Sequence, residues 1–131
     1  MRSLIVEDEF TARLALQRFL SRYGECHVAV TGKEAVEAFR MASERGAPYD
    51  LVCMDILLPE MDGEAAVTAI RSIEEGRGIL SSSGAKIIMT TAVEDIKEVM
   101  RSFHELCDAY LIKPINLADL LKNLVAFHLV E

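Results

Sequence analysis

The sequence predicts a doubly wound α/β fold in which parallel strands are joined by crossover helices. Short apolar runs alternate five times with amphipathic stretches of helical period. The run Leu51-Val52-Cys53-Met54 is apolar throughout, as a central strand covered on both faces should be. Two of the runs stop abruptly at acids, the first at Glu7-Asp8-Glu9 and the third at Asp55. A length of 131 residues fits one domain, 1–131, and 51% hydrophobic against 27% charged residues supplies a core and excludes a disordered chain.

Leu4 to Val6 reads as the first strand. From Thr11 to Tyr23, Ala12, Leu16, Phe19, Leu20 and Tyr23 recur at helical spacing, with Arg13, Arg18 and Arg22 on the solvent side and Gly24 as the stop. Cys26 to Val30 alternates like a half-buried strand. Thr31 stands three residues before Glu34, a capping-box spacing, and opens a helix with Ala35, Val36, Phe39 and Ala42 inward. After the third strand, a helix from Gly63 to Ile73 turns Ala66, Val67, Ile70 and Ile73 to the core. The polar stretch from Glu74 to Gly84 reads as a surface extension. Lys86 to Met89 is strand four, closed by Thr90-Thr91-Ala92, and a helix follows from about Asp95 to Leu106. Ala109 to Ile112 is strand five, broken by Lys113-Pro114. Asn116 caps a last helix carrying Leu117, Leu120, Leu121, Leu124 and Val125.

The charge balance is 14 Lys and Arg against 21 Asp and Glu, a net −7. Such a field repels nucleic-acid phosphates and anionic lipid and favours cations and basic partners. No apolar run approaches the roughly 18 residues of a membrane span, and Met1-Arg2-Ser3-Leu4 does not read as a signal peptide, so a cytoplasmic location is expected. Cys26, Cys53 and Cys107 are odd in number and lack metal-ligand spacing, so they read as small buried hydrophobes. His27, His104 and His128 are scattered and read as surface or rim residues.

In a doubly wound sheet, ligands collect at the carboxyl ends of the strands. The residues there are Glu7, Asp8, Asp55, Thr91 and Lys113. Three converging carboxylates repel by ~4 kcal/mol per close pair at an effective dielectric near 20. A hard divalent cation with oxygen ligands offsets that, and carboxylates plus a phosphate is the usual Mg²⁺ arrangement. A lysine and a hydroxyl beside it complete a site that attracts a phosphoryl group, toward which an aspartate can act as nucleophile.

At this point the sequence resembles the receiver domain of two-component response regulators over essentially its whole length. Glu7-Asp8 resembles the family's acidic pair, Asp55 its phosphoacceptor, and the segment Asp55-Ile56-Leu57-Leu58-Pro59-Glu60-Met61-Asp62-Gly63 its loop after strand three. Thr91-Ala92 resembles its hydroxyl and small residue, and Lys113-Pro114 its lysine and proline. The resemblance implies a flavodoxin-like five-stranded sheet of order 2-1-3-4-5. It implies a signalling module, not a conventional enzyme, in which Asp55 takes a phosphoryl group from a phosphohistidine on a sensor kinase or phosphotransfer protein. Asp8 and Asp55 would ligate Mg²⁺ directly, Glu7 through water, and the Leu57 backbone carbonyl would be a further ligand. Lys113 would pair with the acids and then with the phosphoryl group. Thr91 would turn to a phosphoryl oxygen and let Tyr110 rotate inward, switching the surface of helix four, strand five and helix five toward a downstream protein. The Lys113-Pro114 bond is expected to be cis.

Several residues carry plainer readings. Glu9 is expected to be an ordinary first-turn acid, and Tyr110 also fits simple core packing. Leu57 and Val93, each two residues past a site residue, are expected either to hinder hydrolytic water or to be mere loop hydrophobes. Cys107-Asp108 replaces the glycine-containing turn common before strand five. The chain is expected to be a stand-alone receiver without an output domain, a monomer or a phosphorylation-dependent dimer. A haloacid-dehalogenase-type phosphatase would want a second aspartate where Leu57 stands. A flavodoxin-like flavin carrier would want a Ser-, Thr- and Gly-rich first loop in place of Glu7-Asp8-Glu9.

Overall fold

Five strands and five α-helices alternate along the chain: β1 (Ser3–Val6), α1 (Phe10–Leu20), β2 (Cys26–Ala29), α2 (Gly32–Glu44), β3 (Leu51–Asp55), α3 (Gly63–Gly76), β4 (Lys86–Thr91), α4 (Ile96–Phe103), β5 (Ala109–Ile112) and α5 (Leu117–Ala126). A 3₁₀ turn over Val93–Asp95 leads into α4. The computed structural model describes residues 1–80, 82–103 and 106–131, with the side chains of all but 93, 98, 99, 102 and 103. His104 and the Val93 side chain therefore lie outside the described residues. No helix among the described residues is long and apolar enough to cross a membrane.

All strand pairs are parallel, in the order β2-β1-β3-β4-β5. Because side chains alternate across a strand, β1, β3 and β4 feed two cores. Leu4, Val6, Val52, Met54, Ile87 and Met89 pack with Ala35, Val36, Phe39, Ala66, Val67 and Ile70 beneath α2 and α3. Ile5, Leu51, Cys53 and Ile88 pack with Leu16, Phe19, Leu20, Leu120 and Leu124 beneath α1 and α5. Each fully buried aliphatic of this size contributes about 1.5–3 kcal/mol, which is why the middles of the central strands carry no polar residue.

Local chemistry sets the helix starts. Thr31 Oγ1 accepts from the Glu34 N–H at 3.0 Å, and the Glu34 carboxylate reaches back to the Val30 N–H, so the expected capping box forms with its return bond shifted by one residue. Asn116 caps α5 through the Ala118 and Asp119 N–H groups, as its sequence position suggested.

The structure corrects several expectations. Helix α1 ends at Leu20, before Tyr23. Helix α3 runs on to Gly76, because the Glu74 carboxylate is buried and bonded instead of solvated. In α5 only Leu120 and Leu124 are buried, whereas Leu117 and Val125 are exposed. Of the cysteines only Cys53 is fully buried. Burial pushes its thiol up to about 12 and that of half-buried Cys107 up to about 11, so both stay protonated.

Candidate functional site

Glu7 and Asp8 follow β1, Asp55 ends β3, Thr91 ends β4 and Lys113 follows β5, so all lie at the carboxyl edge of the sheet. Carboxylate oxygens of Glu7, Asp8 and Asp55 gather within 4.8 Å of one another. Lys113 Nζ lies 2.7 Å from Glu7 Oε1 and 2.9 Å from Asp55 Oδ2. The Asp55 contact is a well-formed hydrogen bond. The Glu7 contact is a close ion pair lying off hydrogen-bond alignment, which leaves the buried Oε1 with unspent acceptor capacity. Three carboxylates against one ammonium leave two negative charges on a patch where Glu7 is 1% exposed. That is the fit test a divalent cation must meet: oxygen ligands only, an unspent buried oxygen and a matching charge deficit.

The surrounding backbone holds these groups. The Lys113 N–H donates to the Thr91 carbonyl at 2.7 Å, joining β5's end to β4's, and the Lys113-Pro114 bond is cis, as expected. The loop after Asp55 folds back, with the Gly63 N–H on the Ile56 carbonyl at 2.9 Å. A Cβ on Gly63 would meet the Asp55 carbonyl oxygen at 2.6 Å, so only glycine lets α3 start this close to the acid. Within the loop Glu60 adopts φ 67°, where the Met61 N–H bonds the Pro59 carbonyl in a γ-turn. Leu57 meets Asp55 through its N–H, 3.3 Å from Oδ1, while its side chain is 68% exposed at the mouth.

This fold recurs among known proteins. The sequence model of the response regulator receiver domain matches residues 3–125. The chain belongs to that family. A hybrid signal transduction histidine kinase B of Dictyostelium discoideum is 36% identical over 132 residues, covering 96% of this chain and 6% of the kinase. A probable transcriptional regulator, ycf27, of Cyanidium caldarium is 32% identical, covering 89% of this chain and 42% of its own length. The chain thus spans half or less of these curated relatives. Among solved structures, the receiver domain of sensor histidine kinase PA1611 from Pseudomonas aeruginosa, with a magnesium ion coordinated in its active-site cleft, superposes at TM-score 0.76 and 26% identity, covering 96% of this chain and 95% of that one. The Saccharomyces cerevisiae Ssk1 receiver domain, crystallised with the phosphotransfer protein Ypd1, gives TM-score 0.78 at 28% identity, covering 97% of this chain and 88% of that one.

Within this receiver domain, burial alone would depress the Lys113 ammonium. The close carboxylates of Glu7 and Asp55 outweigh that and hold it above the usual lysine value, so it is charged at neutral pH. Thr91 is buried, and its hydroxyl donates to the Ala92 carbonyl at 3.1 Å. Tyr110 stands apart from the acids, half-buried against the α2/α3 core. Glu9 proves to be the N-cap of α1: its carboxylate accepts from the Ala12 and Thr11 N–H groups, which hold it below the usual glutamate range. Arg13, expected on the solvent side, turns back instead and donates to the backbone carbonyls of Glu7 and Asp8. His27 lies at the far end of the sheet, within 2.5 Å of the Tyr49 hydroxyl and 2.9 Å of Glu25, and His128 is exposed. An apolar groove of about 570 Å³ opens beside Lys113, between Ala12, Ala15 and Leu16 of α1 and Pro114 and Ile115.

Proposed function

We propose that Asp55 accepts a phosphoryl group from the phosphohistidine of a sensor kinase or phosphotransfer protein, with Glu7, Asp8 and Asp55 as the Mg²⁺ ligands. The observation that carries this reading is the gathering of three carboxylate oxygens within 4.8 Å beside the Lys113 ammonium. A bound Mg²⁺ supplies charge neutralisation and a fixed position for phosphate oxygens. An Asp55 oxygen attacks phosphorus in line, the P–N bond breaks, and the imidazole leaves with the electron pair and takes up a proton. Lys113 moves its charge from the Asp55 carboxylate to the phosphoryl oxygens. Incubation with Mg²⁺ and a small acyl phosphate or phosphoramidate, read by mass spectrometry, is expected to add one phosphoryl group per chain.

Thr91 and Tyr110 form the switch in this reading. The hydroxyl leaves the Ala92 carbonyl for a phosphoryl oxygen, and the vacated space admits the Tyr110 ring. The face that changes includes a hollow of about 450 Å³ lined by Ile96, Tyr110, Ile112, Asn116, Asp119 and Lys122, with Ile112 exposed beside it. A protein target reads that face, and a cytoplasmic setting agrees with the three free thiols.

Two measurements bear on the site. At ten times its Kd, Mg²⁺ is expected to stabilise by about 1.4 kcal/mol, raising Tm by about 4–6 °C. Asp8→Asn should shrink that gain, and a melting curve indifferent to Mg²⁺ would contradict the ligand set. Leu57 covers the mouth with an apolar side chain, so Leu57→Asn, which can hold a water, is expected to speed loss of the phosphoryl group about fivefold, the equivalent of ~1 kcal/mol. An unchanged decay rate would make Leu57 a mere loop hydrophobe.

A further inference from the structure

Arg13 occupies an unfavourable place for a cation. It sits in the first turn of α1, where the helix's own partial charge is positive, and yet its side chain turns toward that end. There one guanidinium nitrogen lies 3.2 Å from the Glu7 carbonyl oxygen and 3.4 Å from that of Asp8. The two carbonyls fall between the last β1 ladder pair, at Val6, and the first helical acceptor, the Glu9 carbonyl bonded by the Arg13 N–H. Among the described residues no other donor takes them. The guanidinium is held in turn under the Phe10 ring, 5.5 Å from its centroid, which explains an aromatic left 64% exposed on the surface.

We infer that Arg13 is a positioning residue that sets the affinity of the site for Mg²⁺, an inference that rests on the proposed ligand set. The Asp8 side chain is exposed, so its direction follows from its backbone, and that backbone is what Arg13 holds. The same nitrogen holds the Glu7 carbonyl, while the buried Glu7 carboxylate accepts from the Glu9 N–H at 3.1 Å. One Nη1 with its two protons serves both carbonyls while the flat guanidinium lies against the Phe10 ring.

Calorimetric titration with MgCl₂ tests this on the parent chain, Arg13→Gln and Arg13→Lys. Loss of a residue that orients metal ligands typically weakens binding about 10–100-fold, and that loss is expected for Arg13→Gln. Arg13→Lys, which keeps the charge and loses the flat guanidinium against Phe10, is expected to fall between the two. Saturating Mg²⁺ should restore the phosphorylation rate of either variant, because the reacting groups themselves are intact. A Kd within twofold of the parent in both variants overturns the inference, even if Tm falls, since that is what a purely structural arginine would do. A parent chain that binds no Mg²⁺ overturns the ligand set, and the inference with it.

Discussion

Asp55→Asn is expected to lower phosphoryl acceptance below about one thousandth of the parent rate, a barrier increase of ~4 kcal/mol. The amide keeps the shape of the carboxylate and loses its nucleophilic oxygen pair, so the chemistry fails where the fold does not. Stability supplies the control. The substitution removes one of three crowded negative charges, and Lys113 keeps its partner in Glu7 at 2.7 Å. The variant should therefore melt no lower than the parent without Mg²⁺, while losing most of the Mg²⁺-dependent gain. Mass spectrometry after incubation with a phosphodonor, alongside thermal melts with and without Mg²⁺, reads both effects. Labelling of the variant at the parent's rate would move the acceptor to another residue.

Most of what positions Asp55 is legible in the sequence because it depends on period and on abrupt change. The all-apolar run from Leu51 to Met54 requires two covered faces, and an acid directly after it requires a strand end at a crevice. Lys113 is legible for the same reason, as a cation closing a strand with a proline behind it. Arg13 was not legible in this way. Its place on a helical wheel points outward, and only the folded path of Glu7 and Asp8 brings two unbonded carbonyls within its reach. Leu117 and Val125 mislead in the opposite sense. Their spacing fits the apolar stripe of α5, but a short helix laid on one face of the sheet buries only the Leu120 and Leu124 row. The stretch from Glu74 to Gly84 reads as solvated by composition. Its anchoring depends on a long-range partner, the Ala85 N–H on Glu74 at 2.7 Å, which no local pattern encodes. Position does leave one signal: Arg71 and Glu74 share a helical face with Val67 and Ile70, and charges on that face need partners inside.

Those partners make Arg71→Met the substitution with the largest expected effect on stability. The Arg71 guanidinium donates to Glu74 at 2.7 Å, to Asp108 at 3.0 Å and to the carbonyls of Ala85 and Leu106 at 2.9 Å each. Glu74 and Asp108 in turn accept from the Ala85 and Ile87 N–H groups, at 2.7 Å and 2.8 Å. One side chain thus ties α3, the start of β4 and the turn before β5, and Asp108 does by hydrogen bonding what a glycine turn would do by shape. Gly84 fits the same cluster, since a Cβ there would overlap the Glu74 carboxylate at 2.1 Å. Removing the guanidinium leaves Glu74, 3% exposed, as a buried charge without its partner. Breaking such a network by one member costs about 3–5 kcal/mol, or roughly 10–20 °C in Tm for a domain of this size. The network sits at the amino ends of the strands, across the sheet from Asp55, so phosphoryl acceptance well below the lowered Tm should match the parent. Urea denaturation gives the first quantity and labelling at low temperature the second. A loss under about 1 kcal/mol would mean that water reaches the freed carboxylates as readily as it reaches a surface pair. The combined Arg71→Met/Glu74→Gln variant is expected to regain part of the loss, because a neutral amide can keep the Ala85 N–H bond without leaving a buried charge unpaired.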